Sequence, residues 1–289
     1  MLNLYEAIRM NPGYNKLEIG DFLFAEYTCG ISATKLANWT DTDYLMHVVT
    51  GAKTWHTTDG ICKANPGETL FVRKGATVVE QHFERDVCLL IFFIPDPLVR
   101  NTVREMSNSA VKTLRVQPIQ SAARVENDVG LSAFFQSMRT YFSGKEKPSE
   151  PLVRLKLKEL ITGILTSGKN PALATYFRKI GERDTPSVAE IMLTNFRYNL
   201  SLEEYAKLCH RSLSSFKRDF QKEFSEAPGR WLLRKRLDHA AGALRNSKRN
   251  VTDIALESGF EDVSHFSRVF KERFGVPPMA YRRNSPVGI

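Results

Sequence analysis

The sequence holds only four cysteines, Cys29, Cys62, Cys88 and Cys209, and no two of them form a CxxC pair. That scarcity excludes a zinc ribbon and a disulfide-stapled scaffold, and it fits free, buried thiols in a reducing compartment. Long apolar runs are also missing. The longest, around Val87–Pro95, is far too short to span a bilayer, so no membrane partner is expected. The N-terminal stretch MLNLYEAIRMNPGYNK lacks a basic head followed by an apolar core, so it does not read as a secretory leader and a cytoplasmic chain is expected. No phosphate-loop or nucleophile-elbow glycine pattern frames a Ser, His or Asp. No catalytic residue, metal ligand or cofactor is therefore assigned.

What is present is ordinary for a folded soluble protein: 42% hydrophobic and 25% charged residues. A length of 289 residues gives two domains as a prior. From about Lys16 to Pro97, short apolar runs separated by turn signals read as β-strands: Phe22–Tyr27, Tyr44–Val49, Leu70–Val72 and Cys88–Ile94. Asp59-Gly60 predicts a type I′ hairpin turn, and Pro66-Gly67 and Lys74-Gly75 mark the next corners. Such spacing predicts a small barrel or sandwich. After Pro97 the pattern turns helical, with helices expected over Leu131–Phe142, Pro151–Thr166 and Ala172–Ile180, then a linker from Gly181 to Pro186. The second of these carries an apolar stripe of Val153, Leu157, Leu160, Ile161 and Ile164. A stripe of this kind packs either within the chain or against a second copy.

The C-terminal third is basic and internally repeated. Between Lys207 and Arg249 stand 12 Lys and Arg against 4 Asp and Glu, within an overall net charge of +9. Such a surplus fits either a polyanion partner or a solvated face. The repeat chooses between them. Phe216, Arg218, Phe220 and Phe224 recur as Phe266, Arg268, Phe270 and Phe274. Phe at i, i+4 and i+8 makes one helical stripe, and an Arg at i+2 must point away from it. Each copy follows a short helix and a turn. Ser201 and Glu204 form a capping box before the first short helix, 202–208, and Ser212 caps the second helix. In the other copy Asn250 or Thr252 opens the short helix, Gly259 supplies the left-handed turn and Asp262 caps the second helix. This is the layout of two DNA-reading helix-turn-helix motifs. Pro228–Leu244 between them reads as an amphipathic strut of roughly 25 Å, suited to holding two readers about 34 Å apart. Gly242 within the strut reads as a close-packing site.

Residues 186–284 resemble the DNA-binding domain of the AraC-type transcription regulators. The likeness rests on Ala206, Ser212, Phe216, Arg218, Phe220, Trp231, Arg236, Ala240 and Leu244. It continues through Ile254-Ala255, Ser258-Gly259-Phe260, Ser264-His265-Phe266-Ser267-Arg268-Val269-Phe270-Lys271 and Phe274-Gly275-Val276-Pro277-Pro278. Two positions depart from the family pattern: His210 stands where the first turn usually has Gly, and Gly242 interrupts the strut. The resemblance implies base-facing roles for Ser214, Lys217 and Arg218 in the first reading helix. In the second it implies them for Val263, Ser264, His265, Ser267 and Arg268. For Arg218 and Arg268 the competing roles are phosphate contact or a structural ion pair, and for His265 phosphate contact alone.

Residues 20–97 are similar, more weakly, to the cupin-type sensor barrel that precedes this domain in the family. The enzymatic His-x-His metal pattern is absent; His47, His56 and His82 are dispersed. A metal-dependent cupin enzyme carrying a DNA-binding domain is the alternative reading. The Pro-Gly-Glu…Leu-Phe-Val-Arg-x-Gly segment, residues 66–75, is similar to one in AraC-type activators of type III secretion, which are controlled by a partner protein. The expected fold is α+β: a cupin-like β-barrel over 1–115, a helical dimerisation region over 116–181 and an all-α double helix-turn-helix domain over 186–289. The resemblance assigns the stripe Val153, Leu157, Leu160, Ile161 and Ile164 to dimerisation, because helices after the barrel pack between subunits in related regulators; the alternative is packing within the chain. It implies a non-enzymatic activator acting as a homodimer. Its implied partners are double-stranded DNA, RNA polymerase and either a small-molecule effector or a regulatory protein.

Overall fold

Strands buried on both faces build the centre of the N-terminal unit. A computed structural model of the chain describes residues 1–28, 35–81, 87–106, 118–144 and 146–284. The chain divides into two units, Met1–Pro186 and Ser187–Ile289. The first begins with β1 (Leu2–Asn3), α1 (Leu4–Met10), β2 (Asn15–Ile19), β3 (Phe22–Thr28), β4 (Lys35–Thr40) and β5 (Asp43–Thr50). It continues with β6 (Lys53–Thr57), β7 (Gly60–Ala64), β8 (Thr69–Val72), β9 (Gly75–Gln81) and β10 (Cys88–Ile94). Then come α2 (Asp96–Met106), β11 (Ala122–Val125), α3 (Val129–Ser143), α4 (Glu150–Thr166) and α5 (Pro171–Glu182).

Among the described residues the strands form two sheets, ordered β1-β4-β9-β6-β7 and β11-β8-β5-β10-β3-β2, and not one closed barrel. Alternation along the six-stranded sheet explains its apolar runs. Leu89, Ile91 and Phe93 of β10 face Trp55, Ala64 and Val79 of the other sheet. Leu90, Phe92 and Ile94 face the opposite way, onto Phe134 and Phe135 of α3, Leu157 and Ile161 of α4 and Phe177 of α5. A strand buried on both faces has no polar side, so it reads as a continuous hydrophobic run. The five-stranded sheet buries only one face. A cavity of about 50 Å³ remains between the sheets, lined by Tyr27, Tyr44, Met46, Lys53, Trp55 and Ile91 among others.

Several expectations shift. The hairpin pairs Thr57 with Gly60, so Thr58 and Asp59 are its loop residues. Neither has positive φ, so the turn is not type I′. The expected linker at Gly181 is still helix: α5 runs to Glu182, and a Cβ at Gly181 would collide with Val103 of α2. Cys209 is buried and its thiol is pushed up to about 12 by that burial, while Cys62 and Cys88 are half-buried free thiols. Cys29 lies outside the described residues.

A buried polar cluster ties the six-stranded sheet to two helices. Lys74, at the β8–β9 corner, pairs with Asp96 of α2 and lies 3.8 Å from Asp43 Oδ2 of β5. The Lys74 amide donates to Asp43 Oδ1 at 2.6 Å, and the Tyr176 hydroxyl of α5 donates to Asp43 at 3.0 Å. Burial pushes the Asp43 carboxyl up from its ordinary range, and the Lys74 ammonium opposes that shift.

The second unit is helical: α6 (Val188–Asn195), α7 (Leu202–Leu208), α8 (Leu213–Phe224), α9 (Pro228–Asn246), α10 (Val251–Glu257), α11 (Val263–Phe274) and α12 (Pro278–Asn284). The strut α9 buries Trp231, Leu237, Ala240, Ala241 and Leu244. Gly242 is not a close-packing site, because a Cβ built there would meet nothing within 4 Å. No helix among the described residues is long and apolar enough to cross a membrane.

Two measurements check this picture. Lys74→Met removes the ammonium that pairs with two buried carboxylates and should lower the unfolding free energy by about 3–5 kcal/mol in urea titrations. Gly242→Ala fills open space and removes a helix-weakening residue, so it should raise that free energy by about 1 kcal/mol.

Candidate nucleic-acid interface

Capping sets where each reading helix begins. Ser201 accepts from the Glu204 amide and Glu204 returns to the Ser201 amide, so the capping box forms as the spacing predicts. Ser212 accepts from the Ser215 amide at the start of α8, and Asp262 accepts from the Ser264 and His265 amides at the start of α11. Asn250, not Thr252, caps α10. Within each motif the turn is closed the same way: the Arg211 amide donates to Ala206 O at 2.9 Å, and the Phe260 amide to Ala255 O at 3.1 Å. His210 occupies the left-handed conformation at φ 53°, as Gly259 does at φ 92° in the second turn. The departure from Gly therefore keeps the turn and adds strain of about 1 kcal/mol.

Aromatic packing sets which face of each helix looks outward. Phe216 and Phe220 of α8 are fully buried, and Phe220 and Phe224 meet Trp231 at ring-centroid distances of 5.7 and 5.0 Å. Phe266 and Phe270 of α11 are likewise buried, and Phe270 and Phe274 meet Tyr281 at 5.3 and 5.2 Å. Trp231 and Tyr281 are fifty residues apart, as are Pro228 and Pro278. The repeat thus extends past each reading helix into the helix that supports it, a continuation the Phe pattern alone did not expose.

The residues assigned to base reading lie as follows. Ser214, Lys217 and Arg218 are exposed on α8; Ser264, His265 and Arg268 are exposed on α11. Ser267 is half-buried, and Val263 is half-buried against the core of the second motif. The Arg218 side chain, 78% exposed, lies 3.5 Å from Asp219 and donates to Ser215 Oγ at 3.1 Å. Arg268, 65% exposed, pairs with Glu272 at 3.2 Å. Asp219 has a closer partner in Arg211 at 2.9 Å, and the Arg211 hydrogen bond is the largest influence holding its carboxyl below its usual range. Exposed pairs of this kind contribute about 0–1 kcal/mol, so neither Arg is committed to its carboxylate.

The stripe assigned to dimerisation is already used. Val153, Leu157, Leu160, Ile161 and Ile164 are all buried in the core of the first unit, against the six-stranded sheet and its helices. A side chain packed there presents no surface to a second copy; on α4 the exposed apolar groups are Leu152 and Leu155. The histidines of the first unit diverge. His47 stacks on Phe135 of α3 with its ring 4.4 Å away and contacts Thr69 Oγ1 at 3.0 Å. Burial holds its imidazole below the usual range, with Arg139 adding to that effect. His56 contacts Glu80 at 2.7 Å in the other sheet, next to the inward Trp55 and so on the outer face. The two imidazoles therefore cannot ligate one ion. His82 lies outside the described residues.

Sequence reasoning missed the role of the polar side chains on the strut, Arg236 and His239. Their i, i+3 spacing on a helix otherwise apolar on its inner face was the available signal. Arg236 donates to Phe196 O at 2.7 Å and to Tyr198 O at 2.8 Å.

Residues 43–176 match the ExsA N-terminal regulatory domain family, and residues 205–284 match a helix-turn-helix domain family. The chain is 23% identical over 241 residues to the virulence regulon transcriptional activator VirF of Yersinia enterocolitica, covering 83% of this chain and 89% of VirF. It is 24% identical over 219 residues to the HTH-type transcriptional regulator ExsA of Pseudomonas aeruginosa, covering 75% and 78% of the two. The crystal structure of fatty-acid-bound ToxT from Vibrio cholerae aligns over 93% of this chain and 98% of that one, at 13% identity and a TM-score of 0.44.

The two motifs differ at the end of their reading helices. Ser225 adopts φ 55° where Gly275 adopts φ 78°. Because glycine carries no Cβ penalty in that conformation, Ser225→Gly should raise the unfolding free energy by about 0.5–1 kcal/mol, read by thermal or urea unfolding.

Proposed function

The chain belongs to the AraC-type transcription regulators, and we propose that it reads one DNA duplex with both of its helix-turn-helix motifs. It is a DNA-binding transcription regulator. VirF is named a transcriptional activator, and that supports the same direction of control here. In this reading Ser214, Lys217 and Arg218 of α8 meet base edges in one major groove. Val263, Ser264, His265, Ser267 and Arg268 of α11 meet them in the next. Arg and Lys donate to guanine O6 and N7, Ser both donates and accepts, and Val touches a thymine methyl. One observation carries the proposal: both Phe stripes are buried, which leaves Arg218 and Arg268 outward on equivalent turns of two repeated helices.

The first unit supplies regulation. A cavity of about 50 Å³ is small against the roughly 300–1,000 Å³ of ordinary ligand pockets. That favours control by a regulatory protein over a small-molecule effector inside the sandwich. RNA polymerase and a second copy of the chain are the further partners of this reading, in the cytoplasm.

The test is binding of the full chain to a duplex enriched from a randomised library, against a scrambled duplex, over a range of salt. Arg218→Ala and Arg268→Ala should each cost about 1–3 kcal/mol on the enriched duplex and little on the scrambled one. Equal losses on both duplexes would make these residues phosphate contacts. Unchanged binding by both variants would remove them from the interface.

A further inference from the structure

Reading two grooves with one chain demands a fixed register between the readers. One base pair is about 3.4 Å of rise and about 35° of rotation. The strut α9, 19 residues long, spans about 28 Å, so a tilt of only about 7° moves its far end by one base pair. Long helices bend gently, so the stiffness of the strut by itself does not fix that tilt. Something must hold it.

The structure places a polar junction at the middle of the strut. There the segment leading into the first motif, residues 196–199, meets the turn of the second motif, residues 258–261. Gly259 lies so close that a Cβ would come within 2.8 Å of both Arg197 O and Arg236 Nε. Arg236 grips the first segment through Phe196 O and Tyr198 O. His239, one turn further along α9, reaches both partners: its Nε2 lies 3.3 Å from Arg197 and its Nδ1 2.9 Å from the Ser258 hydroxyl. Because arginine only donates, Nε2 accepts and the ring proton sits on Nδ1, donated to Ser258. Burial, with Arg197 adding to it, holds the imidazole below its usual range and so favours the neutral form this requires. Asn199 donates to Glu261 across the same seam. Ser258 is fully buried, so its hydroxyl has no solvent to fall back on.

We propose that this junction, and not the strut alone, sets the register of the two reading helices, with Arg236 and His239 as its positioning residues. The proposal rests on the two-motif reading above. Neither residue touches DNA in it; each acts by fixing the second motif's turn against the first motif's lead-in. A guanidinium fork holds the two carbonyls with donors fixed relative to one another, whereas the rotatable donors of an ammonium on a flexible stem hold them less rigidly.

The experiment compares parent, Arg236→Lys and His239→Gln as full-length chains, well below their melting temperatures. Three probes are used: the library-enriched duplex, the same duplex with one half scrambled, and versions with one base pair added or removed between the halves. If the junction sets register, both variants bind the half-scrambled duplex within about threefold of the parent yet lose about tenfold or more on the intact one. Their preference for the original spacing over the shifted versions also flattens. A merely stabilising role would lower the melting temperature and leave the ratio of intact to half-scrambled affinity as in the parent, which overturns the proposal. Should Arg236→Lys fail to fold, the ratio for His239→Gln decides. Enrichment by the parent of no duplex with two separate halves would overturn the two-motif reading itself, and the junction's role with it. A two-part duplex whose ratio the variants leave unchanged overturns the junction alone.

Discussion

Everything the second unit presents to a partner depends on phenylalanine rings packed behind it. A fully buried Phe contributes about 1.5–3 kcal/mol relative to exposure. Phe216 and Phe220 are buried on α8, and Phe266 and Phe270 on α11, with Trp231 and Tyr281 closing each stack. On the outer faces the competing interactions are Arg218 with Asp219 and Arg268 with Glu272, exposed pairs that contribute about 0–1 kcal/mol. The packing wins by a wide margin. Each helix therefore keeps its orientation whatever its arginine does, and the arginine can exchange a carboxylate for a base edge or phosphate without disturbing the fold.

The first unit solves a different problem. Its six-stranded sheet is covered on one face by the other sheet and on the second by α2–α5, so its corner must pass polar backbone and charge through a dry interior. Lys74, Asp43, Asp96 and Tyr176 meet there. Burying one such charge alone is costly, and burying the set with its hydrogen bonds made offsets much of that cost. The cluster also explains why the helices belong to the sheet: Asp96 opens α2 and Tyr176 sits within α5, so both helices are tied to the strand that carries Asp43. With the apolar stripe of α4 filling the same core, α3, α4 and α5 are a covering layer of the sheet.

How much of this was legible follows from which surfaces a residue buries. The four strands visible in the sequence, β3, β5, β8 and β10, are neighbours in the doubly buried sheet, where both faces demand apolar side chains. β4, β6, β7 and β9 belong to the sheet with one solvated face, and mixed patterns such as Lys53-Thr54-Trp55-His56-Thr57 hold no apolar run; only the hairpin turn at Asp59-Gly60 marked β6 and β7. The helix caps at Ser201, Ser212 and Asp262 were legible because capping is local chemistry with fixed spacing. Arg236 and His239 were not, because their partners at 196–199 and 258 lie about 20 to 40 residues away and only the fold brings them together. The Phe repeat fixed attention on α8 and α11 and hid the fact that Trp231 and Tyr281 repeat too.

The same contrast explains why the two motifs, so alike in packing, differ in their turns. From Ser201 to His210 the copies are offset by 49 residues, and from Ser212 onward by 50, so the second turn carries one residue more. Gly259 stands at the left-handed position there because Arg197 and Arg236 leave no room for a Cβ. His210 stands at the matching position of the first turn and accepts the conformational cost of about 1 kcal/mol. Glycine at this position is therefore more than a helix stop. It is required where the second motif's turn meets the first motif's lead-in, whereas the first motif's turn carries the His210 side chain in the same conformation.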